Sequence, residues 1–426
     1  MHESQFGFRA LRSCELALNT MIDDWRDILD FGEELIAVFL DLSKAFDTVD
    51  HQLLLKKLFY YNFDLSVIDL MSNYLSNRFI RVNINGQLSK KEKVTVGVPQ
   101  GSVLGPLLFI VFINDLAYLP LKSKLLLFAD DTTVFLNGPC LQDLLKNLSD
   151  DLFKIKEWLI HNRLLINLSK THAISFFQKN KNITLSLYCG DDKIEFVKET
   201  KLLGVIIDNN LKFSSHINLL CKKANSKAFL IKKSLFLFHS EFRVLLFKLF
   251  IIPHFDYCST LFTYLKNKGD RDRLSMCFNK CVYRLLNIDL YNLTEYQQFL
   301  LIFEKYKILP LIYRQFFHFS CFLYNLMSRK NCKLFNKLNE KKKKKEEREI
   351  NTRSTYEVAK PKKKVKNYSF STISLKMLNL FLQTFILENP KEPLSETSLT
   401  FSAKISLMMN INKYFTQLLF FITDIT

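Results

Sequence analysis

Nine cysteines occur in the chain, but no C-x-x-C pair. Zinc cages and disulfide scaffolds both need thiols in register, so neither is indicated. Cys277 and Cys281 lie one helical turn apart in an apolar stretch, which suits buried free thiols. That usage fits a reducing compartment. The N-terminus, MHESQFGFRA, has no signal-peptide pattern. The longest unbroken apolar run, Pro106 to Ile113, is far short of the ~20 residues of a membrane span. The Phe- and Leu-rich stretches 235–252 and 298–324 are punctuated by Lys, Arg, Glu and His, as helices of a globular core are. A soluble protein, nuclear or cytoplasmic and not secreted, is expected. There is no G-x-x-x-x-G-K-[ST] loop, which excludes a P-loop NTPase, and GSVLG (101–105) is not a nucleophile elbow. No His is placed to partner Ser102, and no internal repeat is visible.

What is present is apolar and basic. The 426 residues suffice for about two or three domains. They are 48% hydrophobic with 40 Phe, enough for most of the chain to fold. A net charge of +18 favours a polyanionic partner, nucleic acid or an anionic membrane surface. Eight of those charges fall in residues 341–366, where twelve Lys/Arg face four Glu. Such runs are generally disordered, and disorder is expected over 339–368. PKKKVK (361–366) reads either as a nuclear-import patch or as a flexible tail touching RNA or DNA.

Periodicity organises the rest. Residues 14–30 are helical, and ELIAVFLD (34–41) is a buried strand ending on Asp41. A helix follows over 51–61 with Asp50 or Thr48 as N-cap, then another over 66–77. Paired strands are expected at 80–87 and 92–96 around Asn85-Gly86, and an apolar helix over 101–116. LLLFADDTTVFL (125–136) reads as a hairpin turning through Ala129, Asp130 and Asp131. Beyond it come a helix over 141–162, strands at 173–178 and 183–189, and a last strand at 201–208. Residues 215–237 put Ile217, Leu220, Cys221, Ala224, Ala228, Ile231 and Leu235 on one stripe. Lys222, Lys223 and Lys227 face away from it: a solvated surface, or a phosphate-tracking face beside a polymerase-like core.

Adjacent carboxylates on a tight turn repel each other unless a cation lies between them. Alone, Asp130-Asp131 reads as an ordinary solvated loop tip. Their company changes that reading. FLDLSKAFD (39–47), GVPQGSVLGPLLFIVFINDL (97–116), FADD (128–131) and NRLLINLSKT (162–171) follow one another in order. If the strand ending at Asp41 neighbours the hairpin, three carboxylates converge, and such hard oxygen donors suit Mg²⁺. Phe46, five residues after Asp41, reads as a core ring or as the floor of a nucleotide pocket. Gln100 and Gly101 read as an ordinary loop before a helix capped by Ser102, or as a place where backbone approaches a substrate closely. Asp47, Asp50 and His51 are better explained by a helix start than by a metal cluster.

The four blocks resemble the reverse-transcriptase blocks of non-LTR, LINE-type retrotransposons, close to the jockey-like group. The match starts at SQFGFRALRS (4–13) and runs past FVKETKLLGVIID (196–208). It continues weakly to TRSTYEVAKP (352–361) and Ser369-Phe370, after which the family's Trp-Asn stretch is degenerate. The resemblance implies an α+β right-hand polymerase: fingers and palm over 1–208, a helical thumb over 209–290, and a helical, basic C-terminal extension over 291–426. It implies RNA-directed DNA synthesis from dNTPs on an RNA template and a DNA primer, with two Mg²⁺ ions for which Mn²⁺ can substitute. Asp41 and Asp130 would bridge both ions, Asp131 would rank second, and the Leu42 carbonyl would be a further ligand. Phe46 becomes a steric gate against ribonucleotides, and Gln100 and Gly101 nucleotide contacts. Lys170 matches the proton donor to pyrophosphate, and Arg9 a triphosphate or template contact. Upstream fingers strands and an endonuclease domain do not precede the match. A truncated, catalytically silent nucleic-acid-binding remnant is therefore the alternative expectation.

Overall fold

The computed structural model describes residues 1–176, 185–234, 236, 238–262, 267–328 and 334. The basic run 341–366, the expected disorder at 339–368 and most of the C-terminal extension lie outside them. The chain divides into two compact units, Met1–Met21 with Phe31–Leu211, and Ile22–Asp30 with Lys212–Thr426.

Along the chain, α1 (Cys14–Asp30) leads to β1 (Glu34–Leu40), α2 (His51–Tyr60) and α3 (Leu65–Leu75). Four two-residue strands follow: β2 (Phe79–Ile80), β3 (Asn83–Ile84), β4 (Gln87–Leu88) and β5 (Glu92–Lys93). Then come α4 (Leu104–Ile113), β6 (Lys124–Phe128), β7 (Asp131–Gly138), α5 (Leu141–His161) and β8 (His172–Phe176). The first unit closes with β9 (Leu187–Cys189), β10 (Asp192–Phe196), β11 (Glu199–Leu202) and β12 (Val205–Asp208).

Its centre is a six-stranded sheet in the order β6-β7-β1-β8-β10-β9. All seven residues of β1 are buried, as a continuous apolar run covered on both faces must be. It runs antiparallel to β7 on one side and β8 on the other, with Leu40 opposite Thr132 and Phe39 opposite His172. Ile36, Val38 and Leu40 share a core with Phe109, Phe112 and Ile113 of α4 and with α5. The sequence of α5 allows this because Leu141, Leu144, Leu148, Leu152, Ile155 and Leu159 recur at helical spacing on one buried face. Each fully buried side chain of this kind contributes ~1.5–3 kcal/mol.

Several expectations shift. The 201–208 strand is the hairpin β11–β12, because Leu203 and Gly204 both take positive φ and reverse the chain. The 80–96 region is two short nested pairs: β2 pairs β5, and Asn85-Gly86 joins only β3 to β4. All four of those strands are exposed, with no buried face to lengthen them. The apolar helix starts at Leu104 rather than Gly101, whose φ of +77° is not helical, and it passes into a 3₁₀ turn at Asn114. Asp131 belongs to β7, paired with Phe128, so only Ala129 and Asp130 form the turn. Strand β10 has no counterpart among the expected elements, and residues 177–184 lie outside the described chain.

The second unit is helical in its described part: α6 (Ser214–Lys233), α7 (Ser240–Leu246), α8 (Ile252–Asp256), α9 (Lys268–Leu286), α10 (Glu295–Phe299) and α11 (Leu311–Ser328). Ile217, Leu220, Cys221, Ala224 and Ala228 form the buried stripe of α6, while Ile231 is half-buried. Leu235 lies outside the described residues. Asp270 ties α9 to α6 by accepting from Ser214 Oγ at 2.5 Å. The Phe278 ring meets Phe247 and Phe255 edge-on, and Asp256 of α8 pairs with Arg314 and His318 of α11. Cys277 and Cys281 are buried free thiols.

His216 lies in this unit, buried against Phe262 with ring centroids 5.5 Å apart. Burial, with a smaller contribution from Lys223, lowers its pKa to about 4. The unfolded chain therefore binds more protons between pH 6.5 and 4, so stability falls as pH drops through that window. The loss should reach about 3 kcal/mol. Urea denaturation read by amide exchange in α6, at pH 7 and pH 4, should show it in the wild type and not in His216→Phe.

Candidate active site

Past β1 the chain stays extended. Asn167 N–H donates to Asp41 O at 2.8 Å, Ser43 N–H donates to Leu165 O at 2.8 Å, and Leu42 faces Ile166 as an antiparallel bridge. In such a pair alternate carbonyls point to opposite neighbours, so the Leu42 carbonyl is turned away from Ile166, toward the β7 side. Thr171 Oγ1 accepts from Asp41 N–H at 3.3 Å. The NRLLINLSKT block thus holds the backbone of Asp41 and Ser43.

The β1–β7 register places Asp41 next to the start of β7, beside the Asp130-Asp131 turn. Burial pushes the Asp131 carboxyl up to about 6, and the charges of Asp130 and Asp41 add to the shift. Asp130 is also raised, chiefly by burial; a hydrogen bond from its own backbone opposes this, and Asp41 reinforces it. Three carboxylates therefore feel one another. A cation between them would relieve that repulsion, so the donor set fits a hard divalent ion. Among the described residues, no group of three or more His, Cys, Asp or Glu is arranged so that it could already hold a metal ion. The cluster is open, and other ligands would have to come from solvent or substrate.

The turn itself is strapped from outside. Ala129 takes φ +56°, a left-handed conformation that costs a Cβ-bearing residue about 1–2 kcal/mol. Residues 4–6 run along β6: Phe6 N–H donates to Leu127 O at 2.7 Å and Leu127 N–H to Ser4 O at 2.9 Å. Gln5 is fully buried, and its Oε1 accepts from Gly7 N–H at 2.8 Å and Ala129 N–H at 3.0 Å. A Cβ on Gly7 would stand 2.4 Å from Ala129 N. Reading along the sequence misses this strap because its partner lies 124 residues away.

The Phe46 ring is half-buried, stacked on Phe109 at 4.4 Å and meeting the exposed Phe8 edge-on at 6.4 Å. Gln100 is exposed, and its Nε2 donates to Asp47 Oδ1 at 2.7 Å. Gly97 closes the same loop, its N–H donating to Val49 O at 2.8 Å and its carbonyl meeting His51 Nε2 at 2.7 Å. Asp50 caps α2 through Leu53 N–H and pairs with Arg163. Ser102 Oγ caps the start of α4 by accepting from Gly105 N–H at 2.9 Å.

The remaining candidates stand elsewhere. Arg9 spends its guanidinium on the carbonyls of His2 and Gln5, at 2.7 and 3.0 Å; burial and the nearby Arg12 lower its pKa. To meet a triphosphate it would have to give up those bonds. Lys170 ends an exposed 3₁₀ turn, Leu168–Lys170. Lys222, Lys223 and Lys227 lie on the exposed face of α6 in the second unit.

The four sequence blocks thus adjoin the ends of a central strand and a hairpin that carry Asp41, Asp130 and Asp131. Residues 1–207 match the family described as reverse transcriptase (RNA-dependent DNA polymerase). This part of the chain is similar to that family, and the curated proteins it resembles include polymerases of mobile elements. The protein of transposon X-element from Drosophila melanogaster is 32% identical over 222 residues, covering 50% of this chain and 24% of that protein. The RNA-directed DNA polymerase from mobile element jockey of the same organism is 29% identical over 223 residues, again 50% and 24%. The chain thus spans about a quarter of the length of these relatives. Among solved structures, apo telomerase from Candida tropicalis superposes with a TM-score of 0.38 at 13% identity, over 77% of this chain and 55% of that one.

Two loop glycines make a test of the site's backbone. Gly97 has φ +86° and a Cβ there would lie 2.6 Å from Asp47 O, whereas Gly101 has φ +77° and open space. Gly101→Ala should cost about 1–2 kcal/mol from the left-handed conformation alone. Gly97→Ala should cost clearly more, about 3 kcal/mol or above, since backbone must also move. Urea midpoints of the two variants, measured side by side, check the order.

Proposed function

We propose that this chain is an RNA-directed DNA polymerase of a non-LTR retrotransposon, adding dNTPs to the 3′-hydroxyl of a DNA primer on an RNA template. In this reading residues 1–208 are fingers and palm, 209–290 the thumb and 291–426 a basic extension. The observation that carries it is the register that sets Asp41 beside Asp130 and Asp131. These three side chains, with the carbonyl of Leu42, would hold two divalent ions, Mg²⁺ or in its place Mn²⁺. Bound there, the ions would lower the pKa of the primer hydroxyl and neutralise the triphosphate and its leaving group.

The chain's own groups do the rest. Asp41 and Asp130 would be the main holders of the ions, with Asp131 in support. The Phe46 ring, backed by Phe109, stands against a ribose 2′-hydroxyl and excludes ribonucleotides. Gln100 and Gly101 border the incoming nucleotide; Gly101 leaves open space where a side chain would otherwise stand. Lys170 delivers a proton to the departing pyrophosphate, and Arg9 reaches the triphosphate or template. Lys222, Lys223 and Lys227 track the phosphate backbone, an interaction that weakens steeply with salt. The run at 361–366 directs the protein to the nucleus.

Primer extension on an RNA template with dNTPs and Mg²⁺ tests the reading. Wild type should extend, and Asp130→Asn should lose roughly a thousandfold, equivalent to about 4 kcal/mol of transition-state stabilisation. Salt-dependent primer–template binding without extension by either protein would instead identify a silent nucleic-acid-binding remnant. Equal extension by both would dispose of the metal site.

The gate has its own check. Phe46→Val should leave dNTP use within a few-fold and raise incorporation of ribonucleotides at least tenfold, read as the ratio of kcat/KM values. An unchanged ratio would return Phe46 to a purely packing role.

A further inference from the structure

The N-terminal strap suggests a function beyond closing the sheet edge. Gln5 is polar, wholly buried and held between two segments far apart in sequence. Both hydrogen bonds it makes use Oε1, so the carboxamide orientation is set by two backbone donors, Gly7 N–H and Ala129 N–H. Its Nε2 is buried with no hydrogen-bond partner. A buried donor left unpaired costs about 1–3 kcal/mol, so the side chain is poorly explained as core filler. An apolar residue of the same length would avoid that cost.

What Oε1 holds is the peptide N–H of Ala129, the left-handed residue immediately before Asp130. A two-residue hairpin turn with one residue at positive φ has alternatives of similar energy, and each would aim Asp130 differently. A buried acceptor fixed on Ala129 N–H selects one of them. The close approach that this needs is possible only because residue 7 is glycine. Phe6 and Leu127 hydrogen bonds fix the strap itself to β6, so the acceptor is not free to follow the turn.

We propose that Gln5 is a positioning residue: it locks the Ala129 peptide so that Asp130 and Asp131 are held beside Asp41, where a divalent ion would draw the three carboxylates together. The inference rests on the polymerase reading for the purpose of that site, but its test does not need turnover.

The test uses the full chain without primer, template or nucleotide, and compares wild type with Gln5→Met and Gln5→Glu. Methionine matches the length and removes the acceptor; glutamate keeps an acceptor for both N–H groups. Amide exchange of the peptide covering 125–136 should be at least tenfold faster in Gln5→Met and near wild type in Gln5→Glu, with peptides from β1 and β8 unchanged in both. Titration with Mn²⁺ alone, followed by electron paramagnetic resonance, should show at least fivefold weaker binding in Gln5→Met. Unchanged exchange at 125–136 in Gln5→Met overturns the proposal. So does faster exchange spread through β1 and β8, which would make Gln5 a general support of the sheet. Altered exchange with unaltered Mn²⁺ affinity overturns it too, because the lock would then not serve the metal site. Asp130→Asn under the same titration separates this outcome from failure of the site: if Asp130→Asn also leaves Mn²⁺ binding intact, the polymerase reading of the carboxylates is wrong.

Discussion

Electrostatic repulsion between like charges is the constraint on which the first unit depends. Two unit charges 4 Å apart repel by about 4 kcal/mol at the effective dielectric of a protein surface. Three carboxylates brought to one spot would separate if the strands carrying them were free to slide. They are not free, because β1 is buried throughout and each of its large apolar side chains (Leu35, Ile36, Val38, Phe39 and Leu40) resists exposure by ~1.5–3 kcal/mol. A slip of one residue against β7 would turn Ile36, Val38 and Leu40 away from the core they share with α4 and α5. Hydrophobic register therefore outweighs the repulsion. The stored repulsion surfaces as the raised pKa values of Asp130 and Asp131, with burial as the larger cause in both.

The order of the sequence blocks has a mechanical content. NRLLINLSKT extends the pairing of β1 by one bridge and holds the backbone at Asp41. GVPQG wraps the loop after Asp41, with Gly97 pressed on the Asp47 backbone and Gln100 bonded to the Asp47 side chain. QFGF lies on the outer edge of β6 and reaches the turn. These three segments hold their neighbours largely through backbone groups, with the Gln100 and Gln5 amides adding to them.

Much of this was legible along the chain, and the boundary has a physical reason. The continuous apolar run of β1, the period of α5 and the strand–turn–strand pattern round Ala129-Asp130 are local signals, and the elements follow them. Convergence of Asp41 with the hairpin could be read only on condition that the two strands are neighbours. Strand order is a non-local property that the residues themselves do not spell out. The misreadings have more than one cause. Strand β10 pairs in parallel with β8 through only two residue pairs, and its hairpin with β9 turns on Gly190-Asp191, a local signal that the reading of the sequence passed over. The helix after Gly101 starts late because a positive φ, invisible in an apolar pattern, occupies its first turn. The Gln5 strap is the extreme case: a buried polar residue whose partner is an N–H, a group that every non-proline residue possesses.

On the proposed reading, Phe46 would be both a core ring and a gate, two roles that look exclusive in sequence. A core ring and a steric gate demand different exposure, and Phe46 has an intermediate one. One face stacks on the wholly buried Phe109, with planes 24° apart, while Phe8 meets it edge-on from the surface. A gate works only if displacing it costs more than the intruding hydroxyl can recover. Aromatic pairs add ~0.5–1.5 kcal/mol beyond their burial, and Phe46 belongs to two. A flexible aliphatic side chain at the same place could rotate out of the way. The packing that makes Phe46 look like core would therefore also supply the stiffness that the proposed discrimination requires.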